Sequence, residues 1–261
     1  MSVKFRIGGE FFRQIREEKL YYADKTSFIN EFMLNNPSAV TLITRPRRFG
    51  KTLMMDTLNE FFNINKKSKK IFNDLEISKN TDICTRWMNK YPTIFLSLKS
   101  IFGLSFQESI DSFQAYLSGY LLQNYSFLLN SPYVTPEDKK DIMQIRSKEA
   151  NNIVISSFCT LLMRCLKMHY KKNIIILIDE YDVPLIKAYE NGYYDEMVNF
   201  IRKFLGEALK SNDNLQFAIL TGCLRISKES IFTGLNNFNS TFGVKNPRLM
   251  RVSRRSAPIA L

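Results

Sequence analysis

One histidine occurs in 261 residues, and the four cysteines, Cys84, Cys159, Cys165 and Cys223, lie far apart with no Cys-x-x-Cys pair. This spacing builds neither a zinc site nor a disulfide framework, and it fits reduced, buried thiols in a cytoplasmic protein. The lone His169 stands at the polar end of an amphipathic stretch and reads as an ordinary surface residue rather than a ligand or catalytic base. No apolar run approaches the roughly 18 residues of a membrane span. The opening Met1-Ser2-Val3-Lys4-Phe5-Arg6 has charges where a signal peptide needs an apolar core, so secretion and membrane insertion are not expected. Internal repeats and low-complexity segments are missing too.

Acids are outnumbered: 25 against 37 lysines and arginines, a net charge of +12. Such an excess suits a polyanionic partner, either nucleic acid through non-specific phosphate contacts or a phosphorylated ligand. It is unevenly placed, because residues 245–261 hold Lys245, Arg248, Arg251, Arg254 and Arg255 and no acid, leaving +7 on the rest. A moderately basic globular domain is the plainer reading of the same numbers. The apolar fraction of 45% is ordinary for a chain that buries a core, and the length suits one large α/β domain or two small ones.

Residues 10–19 and 26–34 read as short helices, the second capped by Asp24 or Thr26. Residues 39–44 form a β-branched apolar run bounded by Pro37 and Pro46, as a buried strand requires. A glycine-containing loop follows, then a helix over 53–62. Residues 93–98 alternate like a strand; 106–129 and 153–170 show helical spacing, with an aromatic stripe on the first that belongs to core. Between those two, 131–150 contains Pro132, Pro136 and many charges and reads as a surface loop or short helix. The apolar run 173–178, ending at Asp179-Glu180, is the strongest strand and has the composition of a central parallel strand covered on both faces. A helix over 195–210 and a strand over 215–220 complete the alternation. Strands alternating with helices give an α/β fold of three layers around a mainly parallel sheet.

The chemistry concentrates at three places. Gly50-Lys51-Thr52 matches the end of the phosphate-binding pattern G-x-x-x-x-G-K-[ST], in which backbone amides cradle phosphates, the lysine neutralises β and γ oxygens, and the hydroxyl joins a Mg²⁺ shell. Arg45 replaces the first glycine. The loop lies between a strand and a helix, which puts phosphates at a helix N-terminus. Asp179-Glu180 supplies one carboxylate for the metal shell and a second to activate water. Thr221 closes the next strand, where it could sit between the γ-phosphate and that water, and Arg225 could reach developing transition-state charge. Both also have plain structural readings, as a turn residue and a salt-bridge or surface residue.

Together, Arg45-Pro46-Arg47-Arg48-Phe49-Gly50-Lys51-Thr52, Asp179-Glu180-Tyr181-Asp182-Val183-Pro184 and Thr221-Gly222-Cys223-Leu224-Arg225 resemble the bacterial AAA-ATPase-like family, whose members commonly carry a PD-(D/E)XK-type nuclease domain after the ATPase region. Tyr21-Tyr22-Ala23-Asp24-Lys25-Thr26 matches that family's habits, and the resemblance covers residues 4–238. It implies an additional-strand P-loop ATPase with a helical lead-in over residues 1–238. The loop from Arg45 to Thr52 would hold ATP, Thr52 and Asp179 the Mg²⁺, Glu180 would be the catalytic carboxylate and Thr221 a sensor. Where the family continues into a further strand, a lid and a nuclease, this chain runs into a basic tail over 239–261 without a nuclease core, as a truncated member would. An ATPase module, a nucleotide-binding switch with little turnover, and a basic nucleic-acid module are the three functional readings. Self-association or a partner nuclease domain is compatible with each, and the adenine preference comes from the resemblance alone.

Overall fold

The computed structural model describes residues 11–35, 37, 39–210, 212–223 and 238–239. Its strands are β1 (Val40–Thr44), β2 (Thr93–Ser97), β3 (Ile174–Asp179), β4 (Leu215–Gly222) and β5 (Phe238–Asn239). Among the described residues they form one all-parallel sheet in the order β2-β3-β4-β1-β5. β4 is thus inserted between β1 and β3, the additional-strand arrangement of P-loop NTPases. The two-residue β5 pairs with β1 and straddles the boundary expected at residue 238.

Helices α1 (Phe12–Glu17) and α2 (Ser27–Leu34) precede β1, and α3 (Lys51–Phe62) follows it. α4 (Lys69–Phe72) and α5 (Thr81–Trp87) lead to β2. Then α6 (Phe106–Asn124), α7 (Pro136–Ser147), α8 (Asn152–Ser156) and α9 (Phe158–Tyr170) separate β2 from β3, and α10 (Val183–Glu190) and α11 (Tyr194–Leu209) join β3 to β4. Among the described residues no helix is long and apolar enough to cross a membrane.

The period-2 alternation of strand side chains divides the core in two. Ile174, Ile176 and Ile178 pack with Ala218, Leu220 and the apolar faces of α6, α9 and α11. Ile175, Leu177, Phe217 and Ile219 pack on the other side with Ile43 and the faces of α2 and α3. Each fully buried large side chain contributes about 1.5–3 kcal/mol, so covering both faces is what makes the continuous apolar runs of β3 and β4 favourable.

Three segments differ from their sequence readings. The stretch over 131–150 carries the twelve-residue α7, with Ile142 and Ile145 buried. Pro136 begins it, where a missing N–H costs nothing, and Thr135 caps the amide of Asp138 at 3.1 Å. The expected 106–129 helix stops at Asn124 and passes through Tyr125 into a 3₁₀ turn over Ser126–Asn130. The 153–170 helix is split at Ser157. His169 is half-buried: its Nδ1 lies 2.9 Å from Ser131 Oγ and its ring packs on Phe127, so it has packing partners that a freely exposed residue lacks.

Candidate functional site

The alternation that sorts the core also builds the site. Asp179 continues the row Ile175, Leu177, and Thr221 continues Phe217, Ile219, so both polar side chains emerge on the α3 side at the C-terminal ends of adjacent strands. α3 presents Thr52 from its first turn. Thr52 Oγ1 donates to Asp179 Oδ2 at 2.7 Å, and Thr221 Oγ1 donates to Asp179 Oδ1. Asp179 and Thr221 are fully buried, and a buried carboxylate is tolerable only when its oxygens find donors. One carboxylate thereby ties β3, β4 and α3 together.

The loop between β1 and α3 needs two left-handed residues, Arg48 (φ 67°) and Gly50 (φ 73°). Glycine adopts that conformation without penalty, whereas an arginine there is strained by its Cβ. Gly50 is the N-cap of α3, no side chain caps the helix, and no acid lies in its first turn. The first intrahelical bond of this end runs from Met54 N–H to the Gly50 carbonyl at 3.0 Å. Uncapped amides and the positive end of the dipole make this terminus attractive to an anion. Lys51 is buried, and its ammonium donates to the carbonyls of Arg45 and Pro46 at 2.9 and 3.1 Å. Arg47, Arg48 and Phe49 are exposed.

Glu180 leaves the strand in the left-handed region (φ 54°), which breaks the alternation and turns its side chain away from that of Asp179. Its amide faces Thr221 Oγ1 at 3.4 Å. Burial, and next the neighbouring charge of Asp179, hold its carboxyl above the usual range, while Lys51 and Lys99 oppose the rise. A more basic carboxylate is a better proton acceptor.

Asp182 and Gly222 also belong to the site, though the sequence motifs that contain them give them no role. Asp182 is fully buried and its Oδ2 accepts the Cys223 amide at 2.8 Å. A Cβ on Gly222 would come within 2.6 Å of the Tyr181 ring and 2.9 Å of Asp182 Oδ1, so only glycine lets β4 pass this close to the turn after β3. The pair fixes where the chain leaves β4. Arg225 lies outside the described residues, as does the basic tail from Lys245.

The oxygen donors gathered here, two hydroxyls and a carboxylate, suit a hard cation such as Mg²⁺, which is usually held by one or two protein oxygens together with phosphates and water. Among the described residues there is no cluster of three or more histidine, cysteine or acidic side chains for a softer or more demanding metal.

A family model described as "Predicted AAA-ATPase" matches residues 6–232. A protein of Azotobacter chroococcum mcd 1, described as "Uncharacterized protein in vnfD 5'region", is 28% identical over 242 residues, covering 90% of this chain and 40% of that protein. The chain therefore spans well under half the length of this relative. No solved structure matches it.

Proposed function

The chain belongs to the predicted AAA-ATPase family, and from that premise we propose that it binds ATP with Mg²⁺ and hydrolyses the γ-phosphate. The observation that carries this reading is the convergence of Thr52 and Thr221 on the two oxygens of Asp179, directly beneath the uncapped start of α3. A structural strand end has no need to bury a carboxylate there. The loop from Arg45 to Lys51 would receive the phosphates, with the Lys51 ammonium exchanging its carbonyl partners for phosphate oxygens. Thr52 and Asp179 would hold Mg²⁺, which supplies charge neutralisation of the β and γ oxygens. Glu180, whose carboxyl sits high through burial, would orient the attacking water and take its proton. Thr221, bonded to Asp179 and facing the Glu180 amide, would hold the two carboxylates in register. Arg225 is proposed to meet transition-state charge.

Removing a positioned general base costs about 10²–10⁴ in rate. The Glu180→Gln chain should therefore bind Mg-ATP as the wild type does while its phosphate release falls by about two orders of magnitude or more. Equal turnover in the two proteins would instead leave a nucleotide-binding switch.

A further inference from the structure

An open pocket of about 410 Å³ lies between α4 and α5, bounded also by residues 88–90. Small-molecule sites occupy roughly 300–1,000 Å³, so the space suffices for one. Asn89 forms part of its wall and ties it to the C-terminal end of α3. The Asn89 side-chain amide donates to the carbonyls of Glu60 and Asn63 at 2.9 and 3.0 Å, and its backbone N–H donates to the Phe61 carbonyl at 2.7 Å. The phosphate loop is at the other end of this twelve-residue helix, about 18 Å away along its axis.

The lining carries charge of one sign. Lys69 and Lys90 reach it from different segments, and no aspartate or glutamate lines it among the described residues. Acids on the neighbouring segments are engaged elsewhere: Asp74 pairs with Arg16 at 2.5 Å, Glu76 with Lys79 at 2.6 Å and Asp82 with Arg86 at 2.9 Å. Lys69 also belongs to the run Lys66-Lys67-Ser68-Lys69-Lys70, which keeps the local potential positive. Thr81 and Thr85, four apart on α5, are exposed and bring hydroxyl donors to the same pocket. Phe72 and Met88 supply apolar surface.

We propose that this pocket binds a small phosphate monoester, with the phosphoryl group between Lys69 and Lys90 and the organic part on Phe72 and Met88. It is a second anion site, independent of whether the loop at Lys51 takes a nucleotide. Two ammonium groups without an acid match a ligand charge close to that of a phosphate monoester, about −1.5 to −2 at pH 7. Its three terminal oxygens accept from both lysines and from the threonine hydroxyls, and hydrogen bonds between ionised partners are the strong ones. A carboxylate brings one charge and leaves one ammonium unmatched.

The test is calorimetric binding of phenyl phosphate to the full chain carrying Lys51→Ala, which removes the lysine of the phosphate loop. Adding Lys69→Met or Lys90→Met should weaken binding by about tenfold or more. Benzoate, the same ring with a single charge, should bind less tightly by a similar factor, and an oligothymidylate, whose phosphates are diesters, should not displace phenyl phosphate. No binding, or unchanged affinity in both lysine variants, overturns the site. Benzoate binding as tightly overturns the phosphate assignment, and displacement by the oligothymidylate gives the lysines to a nucleic-acid chain and overturns the small ligand. Should the variants fail to fold, the wild type decides through its own thiols, because Cys84 lines the pocket and Cys223 Sγ lies 3.5 Å from Lys51 Nζ. Phenyl phosphate should slow alkylation of Cys84 by N-ethylmaleimide; slowing at Cys223 alone, or at neither, refutes the proposal.

Discussion

At the scale of single residues, Asp179 organises the site. Its two oxygens are held by hydroxyls from different elements, Thr52 on α3 and Thr221 on β4. Glu180, one residue later, sits on a left-handed backbone and is more exposed. The two carboxylates therefore have different environments, and burial holds that of Glu180 above the usual range. Its ionised form is the one that can accept a proton, so turnover should fall on the acid side as Glu180 protonates, at higher pH than for an ordinary glutamate. Lys99 opposes that rise. Lys99→Met should move the acidic limb of the turnover profile to still higher pH, and a limb that stays put or moves down would separate Glu180 from the rate. Gly50-Lys51-Thr52 and Asp179-Glu180 were legible in the sequence because phosphate and metal chemistry restrict the residue types at fixed spacing from a strand. Asp182 and Gly222 were not, since their roles depend on contacts with segments far away in the chain.

Among the elements, α3 is tied to the lead-in. Asp56 Oδ2 accepts the Phe12 amide at the start of α1, at 2.6 Å, and Arg13 pairs with the buried Glu60 at 2.6 Å. Burial, partly offset by the Phe12 amide, raises the Asp56 carboxyl to about 6, against about 3.9 unfolded. The folded chain thus favours the neutral acid. Asp56 contributes stability below about pH 4 that is lost as pH rises through about 6. Asp56→Asn keeps an acceptor for Phe12 without the charge. It should raise the melting temperature at pH 8 by an amount worth at most about 3 kcal/mol, with no gain at pH 4. A loss at pH 8 would mean that the ionised form is preferred. The edge strand β2 shows a second device: Tyr120 and Tyr116 of α6 accept the amides of Phe95 and Ser97, each at 2.9 Å, and Tyr125 donates to the Thr93 carbonyl at 2.8 Å. These hydroxyls stand where a neighbouring strand would, and they account for the end of α6 at Asn124. Hydrophobic period could not reveal this, because the tyrosines read as core. Nor could it decide between a loop and a short helix over 131–150, where α7 carries a proline and many charges, although Asp138 pairs with Arg164 of α9 and Ile142 and Ile145 face inward. The strands β1, β3 and β4 were legible for the opposite reason, since a strand buried on both faces has little room for polar residues.

For the whole molecule, the charge of +12 remains to be placed. We propose that it binds nucleic acid through phosphates alone, with residues 245–261, which hold five basic residues and no acid, as the footprint. Counterion release then governs affinity. Binding to duplex DNA should fall steeply with salt and be equal for unrelated sequences, and removing residues 245–261 should weaken it while leaving nucleotide binding in place. Sequence preference, or unchanged affinity after removal at matched salt, would reject the tail as the footprint. The nucleotide site itself stands on Lys51. Equilibrium binding of ATP to the wild type and to Lys51→Ala, with and without Mg²⁺, tests it most directly: the account predicts saturable, Mg²⁺-dependent binding to the wild type and none measurable in the variant, whereas equal affinity in the two, or no binding to either, would contradict it.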